Sequence, residues 1–520
     1  MHHTPVLIIG GSLVGLSAAL FLSWRGVPVV VVEKHHGSSP HPRATGFTEH
    51  TLEYFRVVGI GDRVQQIEPS ARLRRVKAES LSGLWHDQVP WTPGEDGSFG
   101  QKASPCRGAA IAQDKLEPIL RSAARSLGAD IRLGQEVLGF EQAGDSVIAR
   151  VRNRENGDTY AIRADYMVAA DGAGSPIREK LGIARRGVGY LRTLRSVLFR
   201  CSEADTFLDT GVQQFQIEQP GFGAFLASYG DGRWVVMFED DRERDEAELA
   251  AAVRTALGRD MAFELLTTGQ WEMAGRVAER YSQGRIFLAG DAAHQLPPTR
   301  GGFGANTGID DVYNLAWKLE WVIRSRSTPA LLDTYSEERQ PIGWLRHQQT
   351  FARPDYARWL KQPLEGGTLY SGEAMELGQL LRSAAVIGAG PALPPAALPS
   401  EWAGQPGVRA PHVWVERAGT RVSTIDLFTR TFSLLSPDDR WLAAARNAAS
   451  GLGIEIETVG VDRDVIFPQP DTFEKCFGVA TDGASLVRPD GIVGWRSAAM
   501  VEAPEEELAR VLTQIVALKK

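Results

Sequence analysis

The chain has 520 residues, 43% apolar and 23% charged, which is too long for one hydrophobic core and suits a globular protein of two to four domains. A net charge of −7 with no basic tract argues against a nucleic-acid partner. The cysteines Cys106, Cys201 and Cys476 are far apart, offer neither a disulfide framework nor a metal-ligand spacing, and with no export signal point to a reducing cytoplasm.

Residues 6–9 form a short apolar run that reads as a buried parallel strand. Gly10-Gly11-Ser12-Leu13-Val14-Gly15 reads as a turn, residues 16–25 as a helix ended by Gly26, and residues 27–32 as a second strand. Gly10 permits the tight turn, and Gly15 lets the helix pack close to the strand. The helix then aims its N-terminal N–H groups at a pyrophosphate. Ser12 stands where such turns usually carry their middle glycine. Glu33, 18 residues past Gly15, is placed to accept both hydroxyls of an adenosine ribose. Residues 5–24 carry no charge, which mimics a signal peptide or a membrane span. Glycines in the middle, no preceding Lys or Arg and no small-residue cleavage site argue against both, so no membrane association is expected.

Residues 70–105 are rich in Arg, Gly, Pro and Trp and show little periodicity. Gln113 opens a helix with an apolar stripe at 116, 119, 120, 123, 124 and 127. Residues 129–133, 137–142, 147–152 and 166–170 read as strands, with Glu155-Asn-Gly-Asp158 as a hairpin turn. From 183 to 280 the pattern alternates, as in 213–217, 224–229 and 233–239, and predicts a second, mostly antiparallel sheet. Residues 285–289 return to a buried strand, followed by helices at 307–325 and 329–360. Asp310-Asp311 is read as a favourable acidic first turn of the former, not as a catalytic pair. Ala385-Val-Ile-Gly-Ala-Gly-Pro391 imitates a second nucleotide turn, but it lacks a third glycine, and Pro394-Pro395 forbid the following helix. The proline-rich residues 391–400 read as a linker to a smaller α/β unit ending in a hairpin over 484–495, with Asp490-Gly491 at its turn.

Two further motifs sharpen the first. Ala169-Ala-Asp171-Gly172-Ala-Gly-Ser175 follows one buried strand, and Gly290-Asp291-Ala-Ala-His294 follows another. An Asp at a strand's C-terminal end can accept a hydrogen bond from a ribityl hydroxyl. The glycine loop 301–308 lets bare N–H groups reach a flavin ring, and the next helix aims its positive end at the flavin N1/O2 side. With Pro42-Arg43-Ala44, Gln113-Asp-Lys-Leu-Glu-Pro118 and Asp333-Thr-Tyr-Ser-Glu-Glu-Arg339, the whole chain resembles the class A flavoprotein monooxygenases of the p-hydroxybenzoate hydroxylase superfamily. Within it the chain looks most like the bacterial aromatic polyketide hydroxylases, such as the aklavinone and angucycline hydroxylases.

The resemblance implies an α/β fold with a discontinuous GxGxxG-type FAD-binding domain (1–180 and 281–390) and an antiparallel-sheet substrate domain (70–105 and 181–280). It also implies a thioredoxin-like C-terminal domain (401–520), here without a Cys-x-x-Cys pair, so that Cys476 is structural or interfacial. Gly10, Ser12 and Gly15 would hold the pyrophosphate and Glu33 the ribose. Arg43 and Gln113 would lie along FAD, the Val137 backbone would meet the adenine, and Asp291 would take the ribityl chain. Gly304, Ala305 and Asn306 would meet the isoalloxazine edge, while Asp171-Gly172 would serve both FAD and the nicotinamide nucleotide. Arg300 is one residue more than the loop pattern leads one to expect, and His294 either touches ligand or packs beside the loop.

The implied reaction consumes NADPH (or NADH). The nicotinamide reduces FAD, O2 adds at the flavin C4a, and the hydroperoxide gives one oxygen to a polycyclic aromatic phenol or quinone of polyketide type, as in antibiotic biosynthesis. The protein's task is to hold the ring and exclude water. Arg353 or Arg358 would stabilise a substrate phenolate, and Phe215, Phe222 and Phe225 would line an apolar cavity. Baeyer–Villiger insertion, oxidative ring opening, oxidative tailoring of another aromatic scaffold, inactivation of an antibiotic and a non-catalytic FAD-binding module remain alternatives. A monomer or homodimer is expected.

Overall fold

Val6–Ile9 and Val29–Val32 are bulky, apolar and buried, as central strands of a parallel sheet must be. In the computed structural model, which describes residues 2–41, 44–68, 74–88, 103–210, 212–297, 303–357, 359–360 and 368–518, they lie side by side. His2–Ile9 pairs in parallel with Val29–Glu33 on one edge and Thr159–Ala169 on the other. Asp130–Leu133 and Ile286–Leu288 extend this sheet in parallel, and Gln135–Ala143 with Ser146–Asn153 adds an antiparallel hairpin. The helix Leu13–Trp24 is apolar nearly all round because it is enclosed between this sheet and the helix Phe303–Ile323.

The second sheet runs, in spatial order, His294–Gln295, Glu264–Ala278, Arg185–Arg200, Arg233–Phe238, Phe222–Ser228, Val212–Gln219, Arg74–Ala78 and Trp85–Gln88. Only the contact of Val212–Gln219 with Arg74–Ala78 is parallel. The last two strands come from the stretch where the sequence shows little periodicity, being too short to display alternation. The outer face packs on the helix Glu246–Leu257, which starts in a capping box of Asp245 and Glu248 and ends at the left-handed Gly258.

The C-terminal unit centres on Phe432–Ser436, parallel to Ile456–Gly460 and antiparallel to Ala484–Val487, which in turn pairs with Val493–Ser497. Its helices Asp439–Leu452 and Pro504–Ile515 pack together and join the first core. Residues 391–400 do not span freely. Leu380 N–H donates to Pro395 O at 2.9 Å, Ala397 N–H to Gly378 O at 3.1 Å, and Ala396 is buried. Residues 385–391 form neither strand nor helix.

One expectation fails in an informative way. The helix predicted from 307 starts at Phe303, so Asp310 and Asp311 lie well inside it and not in its first turn. Gly308 is helical despite its low propensity because it packs against Val14 and Gly290, where a Cβ would come within 2.5 Å and 2.9 Å of them. Among the described residues, no helix is long and apolar enough to cross a membrane, and no His, Cys, Asp and Glu cluster could hold a metal ion.

Candidate active site

The nucleotide turn is built by close approach. Gly10 has φ +103°, and a Cβ there would sit 2.2 Å from Ala170 O. A Cβ on Gly15 would sit 1.9 Å from Gly10 O. Glu33 accepts from Gly11 N–H at 2.6 Å and His35 N–H at 2.8 Å, so its carboxylate fixes the turn and the end of its own strand. Ser12 Oγ donates to Glu117 at 2.6 Å, and Gln113 Nε2 donates to both, at 2.9 Å and 2.8 Å. This triangle ties the turn to the helix Gln113–Ser126. Glu117 lies inside the quoted motif, but its partnership with Ser12 is not visible in the sequence.

The other motifs converge on the same space. Asp171 accepts from Ser175 Oγ at 2.6 Å and Ile177 N–H at 3.3 Å, and burial pushes its carboxyl up despite the Ser175 bond. Arg178 is buried and donates to Ala173 O and Ala292 O, both at 3.1 Å, joining the Asp171 turn to the Asp291 turn. Asp291, Val137, Gly172, Gly304 and Ala305 line one cavity with Gly10, Ser12, Glu33 and Gln113. A Cβ on Gly304 would meet nothing within 4 Å, so this wall is bare backbone facing open space. A glycine cradle, hydrogen-bonding carboxylates and an open groove fit FAD.

His294 and Asp311 serve this wall from behind. Both are fully buried, and His294 Nε2 lies 2.7 Å from Asp311, which also accepts from Arg339 Nε at 2.9 Å and Gly290 N–H at 3.3 Å. Burial alone would raise the Asp311 carboxyl, but His294 and Arg339 outweigh it and hold it below its ordinary range. The group fixes the Gly290-Asp291 turn against the flavin-loop helix. His294 is therefore a packing and positioning residue. Arg339 was visible only as the end of a family motif.

Several expected residues stand elsewhere. The Asn306 side chain is buried, accepting from Thr48 N–H at 3.1 Å and Thr51 Oγ1 at 2.7 Å and donating to Gly46 O at 3.2 Å. It joins two walls of the cavity and does not line it. Phe215 is fully buried between Trp85 and Trp234, at 5.3 Å and 6.3 Å between ring centroids, and Phe222 packs on the same core. Of the three phenylalanines only Phe225 lines the cavity. Along Val212–Gln219 the inward face carries Gln214, Gln216 and Glu218, so this part of the substrate wall is polar. The Arg353 guanidinium lies 5.3 Å from the Phe303 ring centre and is not on the wall. Arg43, Arg300 and Arg358 lie outside the described residues.

The cavity measures about 3360 Å³ and continues from the nucleotide turn past Gly304 to Phe225, Met237 and Trp271 of the second sheet. The C-terminal unit closes another side with Arg409, His412 and the half-buried Cys476. Replacing Asp291 by Ala should weaken FAD retention by about 1.5–3 kcal/mol, the scale of a hydrogen bond to a charged group. Dissociation of FAD from the two proteins, followed by fluorescence, checks this, and unchanged retention would remove Asp291 from the site.

Comparison with known proteins agrees with this geometry. A family described as an FAD binding domain matches residues 3–350, and one described as the C-terminal part of aromatic-ring hydroxylases matches residues 403–517. The chain is 37% identical to a tetracenomycin A2 monooxygenase-dioxygenase of Streptomyces glaucescens, over 99% of this chain and 97% of that one. It is 38% identical to a 4-methyl-5-nitrocatechol 5-monooxygenase of a Burkholderia species, over 99% and 98%. The crystal structure of an aklavinone-11 hydroxylase with FAD and aklavinone superposes with a TM-score of 0.90 at 34% identity, covering 99% of both chains. A family match over residues 3–350 and full-length relatives at this identity establish that the chain belongs to the FAD-dependent aromatic-ring monooxygenases.

Proposed function

We propose that this monooxygenase hydroxylates a polycyclic aromatic phenol or quinone of polyketide type, with a nicotinamide nucleotide as reductant. The observation that carries this reading is the single continuous cavity, which joins the FAD groove to the face of the second sheet. The tetracenomycin and aklavinone relatives, aligned over nearly the full chain, support a polycyclic substrate. When bound and reduced, FAD supplies the activation of O2 and delivery of one oxygen atom to the ring.

The chain's own residues position and shield. Phe225, Met237 and Trp271 offer apolar faces to a flat ring system, while Gln214 and Gln270 offer carboxamides to its hydroxyl and carbonyl oxygens. The C-terminal unit covers one side of the cavity and so limits water. A transient visit of the nicotinamide nucleotide to FAD fits a chain in which residues 385–391 form neither strand nor helix, and the Asp171-Gly172 turn on the cavity wall is the candidate contact.

A monocyclic phenol is the second reading, favoured by the nitrocatechol relative and by the polar face of Val212–Gln219. NADPH consumption with product mass, measured on polycyclic hydroxyquinones and on nitrocatechols, separates the two. Stimulation and a product heavier by one oxygen with the polycyclic set alone is expected. Turnover confined to nitrocatechols would overturn the polycyclic assignment. NADPH oxidation that no tested aromatic compound stimulates would leave neither substrate assignment standing.

A further inference from the structure

Glu49 begins the helix Glu49–Val57 and lines the cavity next to Thr48, whose N–H donates to Asn306 Oδ1 at 3.1 Å. It therefore stands beside the start of the helix that presents Gly304 and Ala305. Behind it lies a buried cluster in which acids outnumber cations. Glu53 pairs with Arg409 at 2.7 Å, Glu376 with Arg346 at 2.7 Å, and Asp311 with Arg339 at 2.9 Å. Asp310 stands 3.7 Å from Arg339 and 3.6 Å from Arg346. Arg339, Arg346 and Arg409 thus face Glu49, Glu53, Asp310, Asp311 and Glu376. His50 adds no charge, because burial holds it down to about 3.

Among the described residues no cation forms an ion pair with Glu49, the member of this cluster that opens onto the cavity. The same wall carries Glu68, Arg107 and Glu373, and the N–H of Gly108 faces the Glu49 carboxyl. Burial, then the Glu376 and Glu53 carboxylates, pushes Glu49 up to about 7. Such a group is half-ionised at neutral pH and responds to a new charge in the cavity.

We propose that Glu49 is a redox-coupled proton acceptor: when FAD in the cavity is reduced, the Glu49 carboxylate takes a proton from solvent, and it returns that proton on reoxidation. The proposal rests on FAD lying against Gly304 and Ala305. In the balanced step, two electrons from the reductant and one proton convert FAD to its reduced anion. A second proton from water forms the O–H bond of the Glu49 carboxylic acid and cancels the added negative charge. Glu49 is partly exposed on the cavity wall, so solvent reaches its carboxyl.

The test is dithionite potentiometry of the FAD-loaded wild type and Glu49→Gln across pH. Well below pH 7 the wild-type carboxyl is already protonated, so the two midpoint potentials should coincide. Above about pH 7 they should diverge, with the variant higher, because only the wild type must bind the extra proton. A constant offset at every pH, or coincidence at every pH, would overturn the proposal. So would a wild-type reduced flavin whose absorbance above pH 7 is that of the neutral form, since the proton would then sit on the flavin. If Glu49→Gln does not hold FAD, Glu49→Asp replaces it. Its extra uptake should begin at lower pH, and a curve identical to wild type would be contradictory. A protein that takes up no FAD would refute the cofactor assignment itself, which is a separate failure.

Discussion

Glu338→Ala should lower the stability of the folded chain by about 3–5 kcal/mol, the cost of breaking a buried ion pair from one side. The Glu338 carboxylate accepts from Arg488 Nη1 and Nη2 at 2.7 Å and 3.0 Å, Lys318 Nζ at 2.9 Å, Asn314 Nδ2 at 2.7 Å and Ser383 Oγ at 2.6 Å. The Glu338, Arg488 and Lys318 side chains are wholly buried. The cluster joins the helices Phe303–Ile323 and Ala330–Ala352 to the hairpin tip of the C-terminal unit, where Asp490 also holds Arg488 at 3.0 Å. Removal of Glu338 leaves Lys318 without its carboxylate and Arg488 with Asp490 and the Ala385 carbonyl. Burial alone would push the Glu338 carboxyl up, but Arg488 and Lys318 outweigh it and hold it well below the usual range. Its folded value is therefore depressed, so its stabilisation is present above the unfolded value of about 4.3 and is lost as pH falls below it. Denaturant unfolding at neutral pH checks the magnitude, and a loss under about 1 kcal/mol would show that the tip contributes little to docking.

Gly10→Ala should abolish FAD retention, with affinity reduced more than about a hundredfold, roughly 3 kcal/mol. Two costs coincide at this position. The φ of +103° strains any side-chain-bearing residue, and the new Cβ would sit 2.2 Å from Ala170 O, which is backbone and cannot swing aside. Relief requires the turn to move away from Thr159–Ala169, which would displace the N–H groups proposed for the pyrophosphate. Flavin content of the purified variant, with far-UV circular dichroism to confirm folding, is the readout. Near-normal flavin content would mean that the turn tolerates a shift and that the pyrophosphate is held elsewhere.

The nucleotide unit is legible in the sequence because its rules are local. Gly10, Gly15 and Glu33 act within one strand–turn–helix–strand segment, and both strands are continuous apolar runs. The second sheet is legible as a sheet but not in its orientation. Alternation along Val212–Gln219 separates Phe215 and Ile217 from Gln214 and Gln216, yet nothing local says which set meets the helix Glu246–Leu257. Phe215 was misplaced for that reason, whereas Phe222 and Phe225, three residues apart on one strand, point to opposite faces. The buried acids escaped because the glycine-rich segment hides four residues of helix before Thr307, which moves Asp310 and Asp311 from the first turn to a packed interior. The docking of the C-terminal unit could not be read, since Arg488 finds Glu338 across 150 residues of sequence.

The most direct test of a monooxygenase is the origin of the added oxygen. The FAD-loaded enzyme is supplied with NADPH, a polycyclic hydroxyquinone and isotopically labelled O2, and the product is weighed by mass spectrometry. One labelled atom per product is the predicted result, with NADPH oxidised much faster when the aromatic compound is present. A product oxygen drawn only from water, or anaerobic NADPH oxidation that yields a reduced organic product, would contradict oxygen transfer and make the enzyme a reductase on this fold.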